Sequence, residues 1–408
     1  MAQKKMASII TLSSVPFLMV LGNSMLIPEF PKIKSVLGIS QFQVGLLITL
    51  FSASAAVTIL FLGYISDRIG RKKIIIPALL CYGLGGAIAG TAAIIFENPY
   101  PVILGSRIVQ GVGAAGTGPL AIALAGDLFK TKERSEAMGV LEAANGIGKV
   151  LSPVLGAAIA LIAWYALFFS YAALSLPIAA AVWFFVSEPQ AKGSPEPFAQ
   201  YLQRIKKIFD KKGVSLLFTF LGGIVVLFIL FGTLSYISDI LEQKFTLHSL
   251  ARGAILSVPL LFMSSFSYLT GWLLKKKGKH YKLSLVIGLV IVTIALIILP
   301  FCNTVWVYPL TLALLGLGSG FTLPALNTLV TSATANEQRG GVTSIYGSVR
   351  FTGVALGPPT FTLLAEISEK VMFFANAGLT AASAVLIFLF LKEKILLPDK
   401  ETNPKSEI

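Results

Sequence analysis

Four ionisable residues stand inside long apolar stretches of this 408-residue chain: Arg107, Glu142, Lys149 and Arg350. Charged groups are costly at membrane depth, so those that occur there are the first candidates for chemistry. Glu142 is the acidic residue set most clearly within an apolar run. Burial favours the uncharged form of a carboxyl, which suits Glu142 to bind and release a proton near neutral pH. It would serve equally to neutralise Lys149 or Arg107, and the sequence leaves both roles open. Glu142 and Lys149 are seven residues apart, two helical turns, and therefore share a face. At ~1.5 Å per residue they lie ~12 Å and ~22 Å beyond Arg134, inside the hydrocarbon, so that face must turn toward a polar gap. Even counting Asp127 near the end of its segment, buried cations outnumber acids. A solute with an anionic or zwitterionic group would balance the remainder. Arg107, Glu142 and Asp127 are thus the candidates for proton handling. Asn23, Lys149, Arg350, Asn145 and Asn327 are the candidate solute contacts. Alternatively, Arg107 and Arg350 face backbone carbonyls and lend the gap little charge.

The elements that position these residues must cross a bilayer. Of the chain, 55% is hydrophobic and 13% charged, against ~25% charged in soluble domains, and its mean hydropathy is +0.81. Twelve apolar runs are long enough to span as helices. They fall near 7–31, 41–65, 74–95, 100–125, 136–162, 165–187, 214–238, 249–274, 281–302, 304–332, 340–365 and 371–392. About 25 of the 33 Lys and Arg fall on the side shared by both termini. Lys32, Lys34, Lys244, Arg252 and Lys370 fall on the other. This asymmetry predicts cytoplasmic termini in a cell membrane and a basic face that attracts anionic lipid headgroups. It also accounts for the formal charge of +14 without invoking nucleic acid. Glu29, Asp239, Glu242 and Glu366 fall at the opposite helix ends, where solvated interfacial charges are expected.

Other chemistries find little support. Lys4 and Lys5 ahead of an apolar run imitate a secretory leader, but no small-residue cleavage site follows, so the segment reads as an uncleaved first helix. Cys81 and Cys302 lie in separate helices and suggest no disulfide framework. His248 and His280 fall in loops on opposite sides, which gives no metal cluster. No phosphate-binding G-x-x-x-x-G-K-[ST] loop is present. No nucleophile–base pair is visible. An enzyme, a resident cofactor and an ATP-driven pump are therefore not expected.

Three segments carry a family resemblance. Between the second and third runs, Gly63-x-x-x-Asp67-Arg68-x-Gly70-Arg71-Lys72-Lys73 resembles the loop signature of the major facilitator superfamily of transporters. A generic basic loop would explain the cations but not Gly63, Asp67 and Gly70. The fourth run contains Arg107-x-x-Gln110-Gly111-x-Gly113-Ala114, similar to a segment of proton-coupled members whose Arg is assigned to proton transfer. The fifth contains Gly148-Lys149-Val-Leu-Ser152-Pro153-Val-Leu-Gly156-Ala157, which resembles the antiporter motif G-x-x-x-G-P-x-x-G-G with Ser152 and Ala157 in place of glycines. Its small residues suit tight helix packing, and that packing would equally suit a transporter that is not an antiporter. Asn23 stands where related exporters often carry an acid.

The chain also repeats itself. A shift of 205 residues brings Gly111 onto Gly316, Gly113 onto Gly318, Pro119 onto Pro324, Arg134 onto Arg339, Asn145 onto Arg350, Gly148 onto Gly353 and Pro153 onto Pro358. Two same-sense units of six helices imply a pseudo-two-fold axis along the membrane normal and a gap between bundles near the midplane. The expected division is a first bundle over 1–187, a linker over 188–213, a second bundle over 214–392 and a tail over 393–408. Within the linker, Ile205, Ile208 and Phe209 share one face. That suits a short amphipathic surface helix, although a solvated linker fits as well.

The resemblance implies an all-α, twelve-span major facilitator fold, similar to the drug:proton antiporter branch. It implies export of an amphiphilic small molecule against protons by a monomer. Gly63, Asp67, Arg68, Gly70, Arg71, Gly148, Pro153 and Gly156 would govern the conformational change. Transport of a defined anionic metabolite (a sugar conjugate, siderophore or organic acid) is the principal alternative. A non-transporting membrane sensor on the same fold is the second.

Overall fold

Long runs of Leu, Ile, Val, Ala and Phe without charges can satisfy their backbone groups in lipid only as helices, and the chain folds accordingly. A computed structural model describes residues 2–129, 131–187, 198–277, 280–333 and 339–397, all helices and connecting turns. The helices are α1 (Ala2–Ser24), α2 (Phe30–Leu37), α3 (Gln41–Ile69), α4 (Lys72–Ile95), α5 (Tyr100–Ala115), α6 (Gly118–Leu128), α7 (Thr131–Ala160) and α8 (Ala166–Phe185). There follow α9 (Phe198–Gln243), α10 (Ser249–Lys277), α11 (Tyr281–Ile298), α12 (Val307–Ser332), α13 (Arg339–Ile367), α14 (Glu369–Phe390) and the short α15 (Glu393–Leu396). Eleven candidate spans among the described residues are long and apolar enough to cross a membrane. The twelfth is α13, whose Gly, Thr and Pro content and whose Arg350 make it less apolar. It packs against α3 and α9 inside the bundle.

Several boundaries differ from the sequence expectation. The first run does not continue to residue 31. It breaks after Ser24 into a 3-10 turn, Ile27–Glu29, and α2, because Pro28 and Pro31 start those turns and cannot donate to a preceding one. The fourth run breaks at Gly116–Thr117, just ahead of Pro119, into α5 and α6. The hydrophilic run after the second span is mostly helical, leaving Gly70 and Arg71 as the whole turn. Gly70 has φ 103°, a conformation that side chains with a Cβ strongly disfavour. The surface helix expected near 201–209 is not separate. With no proline from 198 to 243, α9 runs unbroken for 46 residues from the linker through the seventh span. The earlier part of the linker and residues 398–408 lie outside the described residues.

The repeat is visible in packing. Gly111 on α5 lies against the Phe51 carbonyl of α3, and Gly316 on α12 against the Pro259 carbonyl of α10; in each case an added Cβ would fall at 2.1 Å. Gly113 abuts Tyr82 of α4 as Gly318 abuts Gly288 and Val292 of α11. Gly148 of α7 abuts Phe17 and Val20 of α1, as Gly353 of α13 abuts Ile224 of α9. The matched glycines therefore meet matched partner helices, and α1–α8 and α9–α14 form two lobes of the same design. The lobes touch through α3 with α13 and through α7 with α10.

Candidate functional site

Where does each ionisable side chain point? On α7, Val140, Ile147 and Leu151 are 43%, 54% and 43% exposed and form the stripe that faces lipid. Glu142 and Lys149 each lie two residues from a member of that stripe, ~200° around the helix. Leu141, Gly148 and Ser152 pack inward. Glu142 and Lys149 therefore face the gap between lobes rather than acyl chains. Glu142 is exposed, so the burial that the sequence led one to expect is absent here because its face opens onto the gap, and Lys149 is half-buried. Lys149 feels the charges of both Glu142 and Arg350, and Arg350 belongs to the other lobe. On that side the Arg350 Nη1 donates to the Asn327 Oδ1 at 3.5 Å, and its guanidinium stands 5.5 Å from the Tyr346 ring. The Arg350 Nε and the Tyr346 hydroxyl have no protein hydrogen-bond partner among the described residues. Asn145, Arg350's counterpart in the repeat, is half-buried on α7. Two cations and one carboxylate thus flank the gap, with polar capacity left unused.

The gap is closed at the end away from the termini. There Thr49 donates to the Ala355 carbonyl at 2.7 Å, Ser238 to the Ile27 carbonyl at 2.6 Å, and the Arg252 Nε to the Pro28 carbonyl at 3.0 Å, each across the seam. Lys34 pairs with Asp239 across the same rim. Farther in, a Cβ on Gly146 would lie 3.6 Å from Ser264 and one on Gly347 3.5 Å from Ile59. One turn beyond Gly146, toward the basic end, Glu142 is exposed.

Arg107 does not reach this gap. It is 0% exposed within the first lobe. Its Nε donates to the Leu47 carbonyl at 3.0 Å, and its Nη2 to the Gly22 carbonyl at 2.7 Å and the Asn23 Oδ1 at 3.0 Å. Gln110 accepts from Nη1. The Phe51 ring lies 4.4 Å beneath the guanidinium. Arg107 ties α1, α3 and α5 together, which is the backbone-carbonyl arrangement rather than a cavity charge. Asn23 is likewise not a solute contact in this arrangement. It is 6% exposed and spans from Arg107 to the Ser52 hydroxyl, at 2.9 Å. Its single amide both accepts and donates there, which uses the polarity that had suggested a ligand role.

Asp127 sits apart from the other proton candidates. The Arg71 Nε lies 3.1 Å from its Oδ2, and the Arg134 guanidinium approaches the adjacent Gly126. It belongs to the basic-end cluster of the loop motif. In that cluster Arg68 stacks over Tyr64 at 4.4 Å, and Tyr64 meets Tyr201 of α9 at 5.0 Å between centroids. Gly63 lies within α3, and the Asp67 side chain lies outside the described residues. Gly156 packs on the Met25 carbonyl, and the Pro153 carbonyl meets Gly253 of α10, so the fifth-span motif is a seam between neighbouring helices. Sequence reasoning missed the far-rim residues. Glu29 is 0% and Asp239 8% exposed, not solvated, because the break after Ser24 folds Glu29 under α10. The signal available was Pro28 and Pro31, which flank Glu29.

The sequence model of the Major Facilitator Superfamily matches residues 12–358 and again 255–407. The "Bacillibactin exporter" of Bacillus subtilis (strain 168) is 40% identical over 391 residues, covering 95% of this chain and 97% of that protein. "Multidrug resistance protein 2" of the same strain is 28% identical, over 88% of this chain and 90% of its own length. Among solved structures, an inward-facing, occupied bacterial homolog of the human lysosomal transporter Spinster superposes with TM-score 0.76 at 18% identity, covering 94% of this chain and 97% of that one. The human organic anion transporter MFSD10 (TETRAN) gives 0.71 at 19% identity, covering 94% and 99%.

Proposed function

Because the chain belongs to the Major Facilitator Superfamily, and is thus a multi-pass transporter rather than an enzyme, we propose that it exports bacillibactin or a chemically similar siderophore from the cytoplasm, driven by inward proton flow. The observation that carries this reading is a cation on each lobe beside one gap, Lys149 of α7 and Arg350 of α13, near enough for the Arg350 charge to act on Lys149. Two cations held by separate lobes suit a solute with several acidic groups, which neutralises both at once. The full-length similarity to the Bacillibactin exporter supports a siderophore over the amphiphilic drugs that the motif resemblance first suggests. Similarity to Multidrug resistance protein 2 keeps a broader drug range as the second reading.

In this proposal the basic end is cytoplasmic, both termini lie there, and the protein works as a monomer in the cell membrane with anionic lipid along its basic face. The conformation described then opens inward. Solute enters from the cytoplasm and meets Lys149, Arg350 and Asn327. Glu142, near the mouth, releases its proton to the cytoplasm as the solute arrives, so the two exchange. Rocking about the α3–α13 and α7–α10 seams would open the far rim and release the solute.

The test is solute-induced pH change in proteoliposomes of defined orientation, with bacillibactin and with an unrelated cationic dye. Bacillibactin-driven proton movement in the wild type, lost in Glu142→Gln, is expected. Flux of the dye without flux of bacillibactin would move the assignment to the multidrug reading. Normal coupling in Glu142→Gln would remove Glu142 from the mechanism.

A further inference from the structure

The far rim contains a buried acid that the gap chemistry does not use. Glu29 lies in the 3-10 turn between α1 and α2 and is 0% exposed. Among the described residues, neither of its carboxyl oxygens accepts a hydrogen bond of normal geometry. The groups acting on it come from three elements: Ser249 and Arg252 of α10, Lys32 of α2 and Glu242 near the end of α9. Arg252 is itself 4% exposed and already engaged. It donates to the Glu242 Oε2 at 2.7 Å, the Leu247 carbonyl at 2.9 Å, the Ser249 Oγ at 3.2 Å and, across the seam, the Pro28 carbonyl at 3.0 Å. Lys34 is taken by Asp239, which also accepts from Gln243 at 2.6 Å. Lys32 is exposed. The two cations held in the seam therefore have acids of their own, and Glu29 is the acid left without a bonded cation, with the Ser249 hydroxyl as its nearest donor.

An ionised carboxylate enclosed without a cation bonded to it is far less tolerable than the neutral acid. The enclosure is conditional, however. Glu29 is covered by α10 and the end of α9, which belong to the other lobe, and its neighbours Ile27 and Pro28 supply the carbonyls to which Ser238 and Arg252 bond. Parting the lobes at this end breaks those bonds and admits water to Glu29.

We propose that Glu29 is a proton-binding site of the far gate. The lobes close over it after it takes a proton from the far side, and it returns that proton to the same side when they part. It carries no proton across, unlike the role given to Glu142. Acid on the far side therefore favours the closed rim and speeds the reset of the empty carrier.

The experiment uses purified protein in liposomes without solute, with Cys81 and Cys302 replaced by Ala and spin labels at Val36 and Trp306, both exposed. Distance distributions by double electron–electron resonance report the open and closed rim. In the otherwise unmodified chain the closed fraction should rise as pH falls from about 8 to about 5, with the ratio changing by at most about tenfold per pH unit for one site. Glu29→Gln mimics the protonated acid and should be closed and insensitive to pH. Glu29→Asp should respond with a displaced midpoint. A pH response preserved in Glu29→Gln, or absent from the otherwise unmodified chain, overturns the proposal. Because no solute is present, failure of the siderophore reading leaves this result unaffected.

Discussion

Gly253 of α10 lies directly on Pro153 of α7, so close that an added Cβ would come within 2.7 Å of the Pro153 carbonyl oxygen. The contact has a twin. Gly45 of α3 faces Pro358 of α13, where an added Cβ would meet the proline ring at 3.2 Å. Pro153 and Pro358 are offset by 205 residues, and Gly45 and Gly253 by 208. The same glycine–proline joint thus closes both sides of the seam, once from each lobe.

The two joints should respond unequally to a methyl group. At Gly253 the obstacle is a backbone oxygen, which cannot yield. At Gly45 it is a ring methylene only a few tenths of an ångström too near. Overpacking costs ~1–3 kcal/mol, and ~1.4 kcal/mol is a tenfold change in an equilibrium. Gly253→Ala should raise the open-rim population by about tenfold and Gly45→Ala by much less, read as alkylation from the far side of a single cysteine introduced at the seam in a chain with Cys81 and Cys302 replaced. Equal effects would mean the joints do not bear the closure.

Arg107 is a structural tie in the first lobe, and its counterpart under the repeat, Leu312, is a fully buried apolar residue. Replacing Arg107 with Met leaves the Asn23 Oδ1 without a donor and removes one donor each from the Gly22 carbonyl, which keeps Tyr171, and the Leu47 carbonyl, which keeps its helical bond. Each buried group so orphaned costs ~1–3 kcal/mol. Arg107→Met should lower the thermal denaturation midpoint of the purified protein markedly. An unchanged midpoint with lost proton coupling would instead favour a proton-transfer role.

Lys149 and Arg350 act on one another across the gap, so their contributions to anion binding should not add. Either change to Gln should weaken siderophore binding by about tenfold, ~1.4 kcal/mol. The double change should cost less than the product of the two, since removing one cation relieves repulsion on the other. Calorimetric titration of all four proteins checks this, and strict additivity would separate the two sites.

Asp127 pairs with Arg71 at 3.1 Å, its side chain 46% exposed. Pairs this accessible are worth ~0–1 kcal/mol. Asp127→Asn should therefore leave the number of protons exchanged per solute unchanged while lowering stability slightly. A changed ratio in the proteoliposome assay would restore Asp127 to the proton pathway.

Much of the site was legible from spacing alone. Seven residues between Glu142 and Lys149 put both on one helical face, and membrane depth required that face to be polar. The lipid stripe of Val140, Ile147 and Leu151 on the opposite side of α7 agrees. Asn23 and Asp127 have partners in this structure that their positions in the sequence did not reveal, for one reason. A sequence shows that a polar group is present but not which neighbour from a distant helix satisfies it. Asn23 meets Arg107, 84 positions away, and Asp127 meets Arg71.

Helix number, the internal repeat and the excess of positive charge at one end follow from the order of residues, because hydrophobic length and basic bias act locally along the chain. Whether a buried charge faces a carbonyl, a carboxylate or the open gap depends on how helices separated by a hundred residues or more rotate against each other. Packing in three dimensions sets that rotation. It withdrew Arg107 into the first lobe, brought Arg350 near enough to act on Lys149, and enclosed Glu29 beneath a rim that the linear pattern had placed in water.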